Sequence, residues 1–227
     1  MEFISAQNIQ SAYGRHQVLR NVTFSVDRGD CVAILGANGC GKTTLLSILA
    51  GLRMPKGGKL FLEERAVDTK AKRDTYQRRV GYVPQESILI PELTVWDNLL
   101  LWYVDEQALR KELQEGFLHE LGLDQMLSKK VNTLSGGMHK RVSIGVALAN
   151  YPEVLILDEP SAALDLPGKK EMRAYLGKFK ALGGTIILAT HDELELDLCN
   201  KLFLLKEGEC QALQSNLRGE ELAYQMQ

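Results

Sequence analysis

The stretch "GANGCGKT", residues 36–43, constrains this chain more than any other. It fits the pattern G-x-x-x-x-G-K-[ST] and has the context that pattern needs: an apolar run, "CVAILG" (31–36), before it and a helix-like "KTTLLSILAG" after it. Glycines let successive backbone N–H groups turn toward a phosphate, and the helix N-terminus adds its partial positive charge. Lys42 is placed to reach the β- and γ-phosphates of a nucleotide, and the Thr43 hydroxyl to ligate Mg²⁺. A turn serving only the backbone would need the glycines but has no use for the Lys-Thr pair.

Such a loop belongs to an α/β sheet, and the chain supplies one. "CVAILG", "VGYVPQ" (80–85), "VLILDEP" (154–160) and "TIILATH" (185–191) are apolar along their length, as strands buried on both faces are, and they are expected to form the sheet's centre. The first 30 residues and "KLFLEERAV" (59–67) alternate instead, which predicts an antiparallel β subdomain. Residues 86–145 carry helical periodicity in "LTVWDNLLLWYV", "EQALRKELQEGFLHELGL" and "SGGMHKRVSIGVALAN". The expected fold is therefore a P-loop NTPase core with a parallel sheet, spanning 1–85 and 146–227, with an inserted helical subdomain at 86–145, the whole forming one domain of 227 residues.

Three strand ends add chemistry to the phosphate loop. Asp158 closes a buried strand where a P-loop protein holds its Mg²⁺ ligand, and adjacent Glu159 is placed to polarise an attacking water. Alone, this pair would read equally well as a helix cap. His191 ends "TIILATH", where it can contact a γ-phosphate, and Gln85 ends "VGYVPQ". Ligands of open α/β sheets gather along this carboxyl edge.

A second phosphate-binding pattern lies almost a hundred residues on. "LSGGMHKRV" (134–142) sets a serine and two glycines at a helix start.

Composition narrows the rest. With 45% hydrophobic and 25% charged residues and a net charge of −2, the chain gives no sign of a nucleic-acid partner. The basic clusters "KAKRDTYQRR" (70–79) and "HKR" (139–141) are expected to be solvated helix faces. Cys31, Cys40, Cys199 and Cys210 show no CxxC spacing and nothing secretory precedes them, so they are read as reduced cytosolic thiols. The apolar runs fall short of the roughly 20 residues that cross a bilayer, so a membrane role must be borrowed from a partner.

Taken in order, these motifs resemble the nucleotide-binding subunit of ATP-binding-cassette (ABC) transporters. Tyr13 in "SAYGRHQVL" is similar to the aromatic residue that stacks on adenine, 36–43 to the Walker A loop, Gln85 to the Q-loop and "LSGGM" (134–138) to the signature. "VLILDE" is similar to Walker B, "SAALD" (161–165) to the D-loop and His191 to the switch histidine. The resemblance implies that ATP is held by Tyr13, Gly36, Ala37, Asn38, Gly39, Cys40, Gly41, Lys42, Thr43, Thr44 and Gln85. It also implies Mg²⁺ on Thr43, Gln85 and Asp158, and a catalytic set of Glu159, His191 and Lys42. It accounts for the second motif: Ser135, Gly136 and Gly137 would close over ATP bound to the Walker A loop of a second cassette subunit, which makes the protein a dimer around two ATP·Mg²⁺.

The implied partner is a transmembrane permease subunit, which puts the chain on the inner face of the cell membrane as a cytoplasmic, peripheral protein. The chain ends about twenty residues after "LFLLKEGEC", which suggests an exporter rather than an importer with a regulatory C-terminal domain. The rival readings are a soluble cassette ATPase and a P-loop kinase. Two residues depart from the family pattern. Met138 replaces the usual glutamine, and Cys40 stands where serine is commoner, so a thiol of lowered pKa is expected beside Lys42.

Overall fold

The computed structural model describes residues 2–162 and 164–226. Ala163, within the D-loop pattern, lies outside the described residues. In chain order the strands are β1 (Glu2–Tyr13), β2 (His16–Asp27), β3 (Cys31–Leu35), β4 (Gly57–Leu62), β5 (Arg65–Ala66), β6 (Val80–Val83), β7 (Val154–Asp158), β8 (Thr185–Ala189), β9 (Lys201–Lys206) and β10 (Glu209–Leu213). The helices are α1 (Lys42–Leu49), α2 (Lys70–Gln77), α3 (Val95–Leu100), α4 (Glu106–Glu115), α5 (Phe117–Glu120), α6 (Gly136–Ala147), α7 (Leu166–Ala181), α8 (Glu193–Leu196) and α9 (Gly219–Met226).

The strands form one sheet in the order β5-β4-β1-β2-β10-β9-β3-β8-β7-β6. Its β9-β3-β8-β7-β6 half pairs in parallel, whereas β5, β4, β1 and β2 pair antiparallel, as the alternating N-terminal pattern requires. The five residues of β3, β7 and β8 are all buried. Their side chains alternate between two cores: Cys31, Ala33 and Leu35 pack with the α3–α7 helices, while Val32 and Ile34 pack with α1 and the β1/β2 face.

Two expectations are corrected. First, β6 is an edge strand, not a central one. It reads as apolar because α6 covers it closely: a Cβ on Gly81 would lie 2.4 Å from the Ala147 carbonyl oxygen. Second, the "HKR" cluster is half-buried rather than solvated. Burial pushes the His139 and Lys140 pKa values down, and Arg141 Nη1 donates to the Leu121 carbonyl at 3.4 Å. The other basic cluster does sit on a solvated helix, since Tyr76 is the buried residue of α2.

Helix starts follow local chemistry. Thr94 and Asp97 form a reciprocal capping box on α3, Asp105 caps α4, and Asp165 caps α7. The sequence reading gave no strands for the β9/β10 hairpin. It inserts between β3 and β2, where Arg20 and Asn21 N–H groups donate to the Gly208 carbonyl at 2.7 and 3.2 Å.

Candidate functional site

The phosphate loop runs from the end of β3 to the start of α1. Gly36, Gly39 and Gly41 have φ of 151°, 80° and 111°, backbone that glycine adopts without strain. A Cβ on Gly36 would also lie 2.4 Å from the Leu205 carbonyl oxygen, so this position excludes any side chain. No side chain caps the first turn of α1, which leaves its N–H groups open toward a ligand. Lys42 is 6% exposed and its Nζ donates to the Gly36 and Ala37 carbonyls at 2.8 and 3.2 Å. The ammonium thus lies folded over the loop that a phosphate would enter.

A cleft of about 440 Å³ opens over this loop, lined by Tyr13, His16, Val18, Asn38, Gly39, Gly41, Lys42, Thr43, Thr44, Gln85 and Glu159. The Tyr13 hydroxyl is 3.4 Å from Thr44 Oγ1. The Arg53 guanidinium carbon sits 4.0 Å from the Tyr13 ring centroid, so one ring face is covered by a cation. His16 was missed by sequence reasoning. Its signal was the short Gly14-Arg15 turn, which pairs His16 with Tyr13 across the β1/β2 hairpin.

Asp158 ends β7 and is 1% exposed. Burial pushes its carboxyl pKa up, opposed by a hydrogen bond from the Thr43 hydroxyl, and its Oδ2 is buried without a partner. Gln85 Nε2 donates to Glu159 Oε2 at 3.2 Å, which leaves the amide oxygen free to act as a ligand. An orphaned carboxylate oxygen, a hydroxyl and an amide oxygen are hard donors that fit Mg²⁺ completed by phosphate and water. No cluster of three or more His, Cys, Asp or Glu side chains suited to a metal occurs among the described residues, and a Mg²⁺ site of this kind needs none.

Glu159 follows with φ of 48°, a left-handed backbone that costs a non-glycine residue about 1–3 kcal/mol. Its N–H donates to the Ala189 carbonyl at 3.0 Å, which ties it to the end of β8. There His191 shares with Glu159 a second hollow of about 180 Å³. Burial and the Lys42 cation push the His191 pKa below the ordinary 6.5, with Glu159 opposing, so the imidazole is neutral at pH 7.

The Cys40 expectation is corrected. Burial pushes the thiol up, outweighing the Lys42 cation, so Cys40 is not an activated thiolate. All four cysteines are free.

Ser135 caps α6, accepting a hydrogen bond from the Met138 N–H at 3.4 Å. Ser135 and Gly136 are exposed, and neither they nor Gly137 are among the residues lining the cleft. Lys42, Thr43, Gln85, Asp158, Glu159 and His191 are thus gathered at one sheet edge, while the second phosphate-binding motif stands apart.

Comparisons with known proteins identify the family. The family pattern "ABC transporter" matches residues 19–162. The chain is 37% identical to the lipoprotein-releasing system ATP-binding protein LolD of Aquifex aeolicus (strain VF5), across 91% of this chain and 95% of that one. It is 33% identical to the Fe(3+) ions import ATP-binding protein FbpC 2 of Haemophilus influenzae (strain ATCC 51907 / DSM 11121 / KW20 / Rd), across 90% of this chain and 59% of that one. Among solved structures, the dimeric bacterial ABC transporter cassette MJ0796 superposes with a TM-score of 0.84 at 30% identity, covering 95% of this chain and 99% of that one. The same cassette in a post-hydrolysis state bound to ADP and Pi gives 0.83 at 29% identity, covering 95% and 99%.

Proposed function

The chain belongs to the ABC transporter family, as an ATP-hydrolysing cassette, and on that premise we propose that two cassette chains close over two ATP molecules and drive a separate transmembrane permease. The observation that carries this reading is the separation of the two phosphate-binding motifs: Ser135 and Gly136 are exposed at the start of α6, outside the chain's own cleft. A capped helix N-terminus facing solvent is a donor set waiting for an anion held by another surface.

Within the site, Lys42 neutralises the β- and γ-phosphates, Glu159 orients the attacking water, and neutral His191 contacts the γ-phosphate from the opposite strand end. Mg²⁺, held by Thr43, Gln85 and Asp158, would supply charge neutralisation at the phosphoryl oxygens. The opposite chain's signature serine and glycine N–H groups complete the donor shell. The helical stretch 86–145 is then the subdomain that carries this signature to its partner.

No helix among the described residues is long and apolar enough to cross a membrane. Coupling to the permease is assigned to a groove of about 580 Å³ between α2, β6 and α6, just beyond the end of α1, whose lining includes Leu52, Tyr82, Ile88 and Trp102. Leu52, Ile88 and Trp102 are exposed, whereas Leu89 and Val95, close to Ile88 in sequence, are core. This placement holds the protein at the inner membrane face through its partner. Export is the proposed direction, following the lipoprotein-releasing relative. An importing relative lies at comparable identity, so transport measured with the co-purified permease decides it.

The two-chain site is tested by ATPase activity per chain, measured over a range of chain concentrations with light scattering in parallel. Activity per chain rises as chains pair. Constant activity from a protein that remains monomeric throughout would overturn the reading.

A further inference from the structure

Glu195, on α8, is a carboxylate that sequence reasoning passed over and that the chemistry above does not use. It is 1% exposed, beside Ser161 at 3% and Thr190 at 2%. Its Oε1 accepts a hydrogen bond from Ser161 Oγ and its Oε2 one from Thr190 Oγ1. Ser161 lies two residues after Glu159, and Thr190 immediately precedes His191. One buried side chain therefore grips the segments behind both residues assigned to hydrolysis.

The grip is itself anchored. Thr190 Oγ1 accepts from the Asp192 N–H at 2.9 Å while donating to Glu195. Asp192 caps α8 through the Leu194 N–H at 2.9 Å, and its carboxylate binds Lys169 Nζ at 2.7 Å. Burial pushes the Glu195 carboxyl pKa up, and the Ser161 and Thr190 hydroxyls oppose that shift. Buried charge is costly, and an apolar side chain would fill this space with less penalty. What a carboxylate adds here is two acceptors that hold two hydroxyls at once.

Glu159 needs such support. Its left-handed backbone is held on one side by the Ala189 carbonyl, and on the other by the turn in which the Ala162 N–H donates to the Glu159 carbonyl at 3.2 Å. Ser161 lies inside that turn. The hollow of about 180 Å³ lined by Glu159 and His191 is lined by Ser161, Thr190 and Glu195 as well.

We propose that Glu195 is a positioning residue for ATP hydrolysis, fixing Glu159 and His191 relative to each other by bridging Ser161 and Thr190. The inference rests on the reading of Glu159 and His191 given under Proposed function. A displacement near 1 Å at a reacting centre costs about a hundredfold in rate, whereas nucleotide affinity resides in the phosphate loop, which Glu195 does not touch.

The test is steady-state ATPase kinetics on the full chain carrying Glu195→Ala, Glu195→Gln, Ser161→Ala or Thr190→Val, with thermal melting and with Glu159→Gln alongside. Glu195→Ala lowers kcat by about 10- to 100-fold with KM for ATP within about threefold, and Glu195→Gln, which keeps one acceptor oxygen, loses less. Adding Ser161→Ala to Glu195→Ala costs little more, because one contact cannot be lost twice. A folded Glu195→Ala protein with wild-type kcat overturns the inference. If Glu195→Ala does not fold, Ser161→Ala and Thr190→Val decide: a fall in kcat at constant KM supports the bridge, and unchanged kcat overturns it. Wild-type turnover by Glu159→Gln would instead overturn the underlying assignment of Glu159. An inactive Glu159→Gln beside fully active Glu195 variants overturns the bridge alone.

Discussion

Gln85 Nε2 donates to Glu159 Oε2 across 3.2 Å, linking the loop after β6 to the end of β7. Under the proposed function, the amide would fix the carboxylate that orients water, and its unpaired oxygen would be available to Mg²⁺ with Asp158. Gln85→Ala removes both and lowers ATP turnover by about tenfold or more, with nucleotide binding within a few-fold of wild type. Phosphate release and equilibrium nucleotide titration measured together check this. Equal losses in binding and turnover would place Gln85 in affinity rather than in chemistry.

Cys40 gives a prediction opposite to the one its neighbours suggest. Because burial raises the thiol pKa, alkylation at pH 7 is slower than that of a free thiol and accelerates about tenfold per pH unit until the thiol titrates. Bound ATP shields it, and Cys40→Ser keeps activity while losing sensitivity to the reagent. Labelling at pH 7 as fast as that of a small free thiol would contradict the buried environment.

His191 sets a limit on the acid side. Its pKa lies below 6.5 under the influence of burial and Lys42, with Glu159 opposing, so the neutral form persists as pH falls from 8 to about 6.5 and protonates only below that. The value of kcat/KM therefore holds to about pH 6.5 and declines beneath it, and the residual activity of His191→Ala lacks that part of the decline. A pH profile of kcat/KM for ATP, which reports the groups of the nucleotide-free enzyme, measures this. A His191-dependent fall beginning above pH 7 would contradict the lowered pKa.

Local signals carried most of the fold and the cleft. The phosphate loop was legible because its glycines and Lys-Thr pair sit in fixed spacing between a strand and a helix, and Asp158, Glu159 and His191 because they stand at, or within two residues after, the ends of buried strands. Position in the sheet was less legible. β6 has the apolar composition of a central strand because α6 packs over Gly81, and periodicity cannot distinguish cover by a helix from cover by another strand. Pairwise electrostatics also escaped the sequence: Cys40 lies beside Lys42, but how deeply its sulfur is buried is a tertiary property, and burial decides the sign. The Glu195 bridge joins residues 34 positions apart. No spacing rule announces it, although an acidic residue in the short helix after His191 was the available hint.

In the proposed assembly each ATP is enclosed by two chains, with "GANGCGKT" of one facing "LSGGM" of the other. Glu159→Gln keeps the side chain's shape and loses its basicity, so ATP binds and stays unhydrolysed. Sizing chromatography with light scattering, with bound nucleotide quantified, then reads the assembly. Glu159→Gln is expected to elute as a dimer with ATP·Mg²⁺ and as a monomer without nucleotide. Adding Ser135→Arg, whose side chain fills the clamp at the start of α6, is expected to abolish the dimer while the monomer still binds ATP in its own loop. A dimer that persists undiminished after Ser135→Arg would contradict the claim, because the signature would then play no part in closing the site.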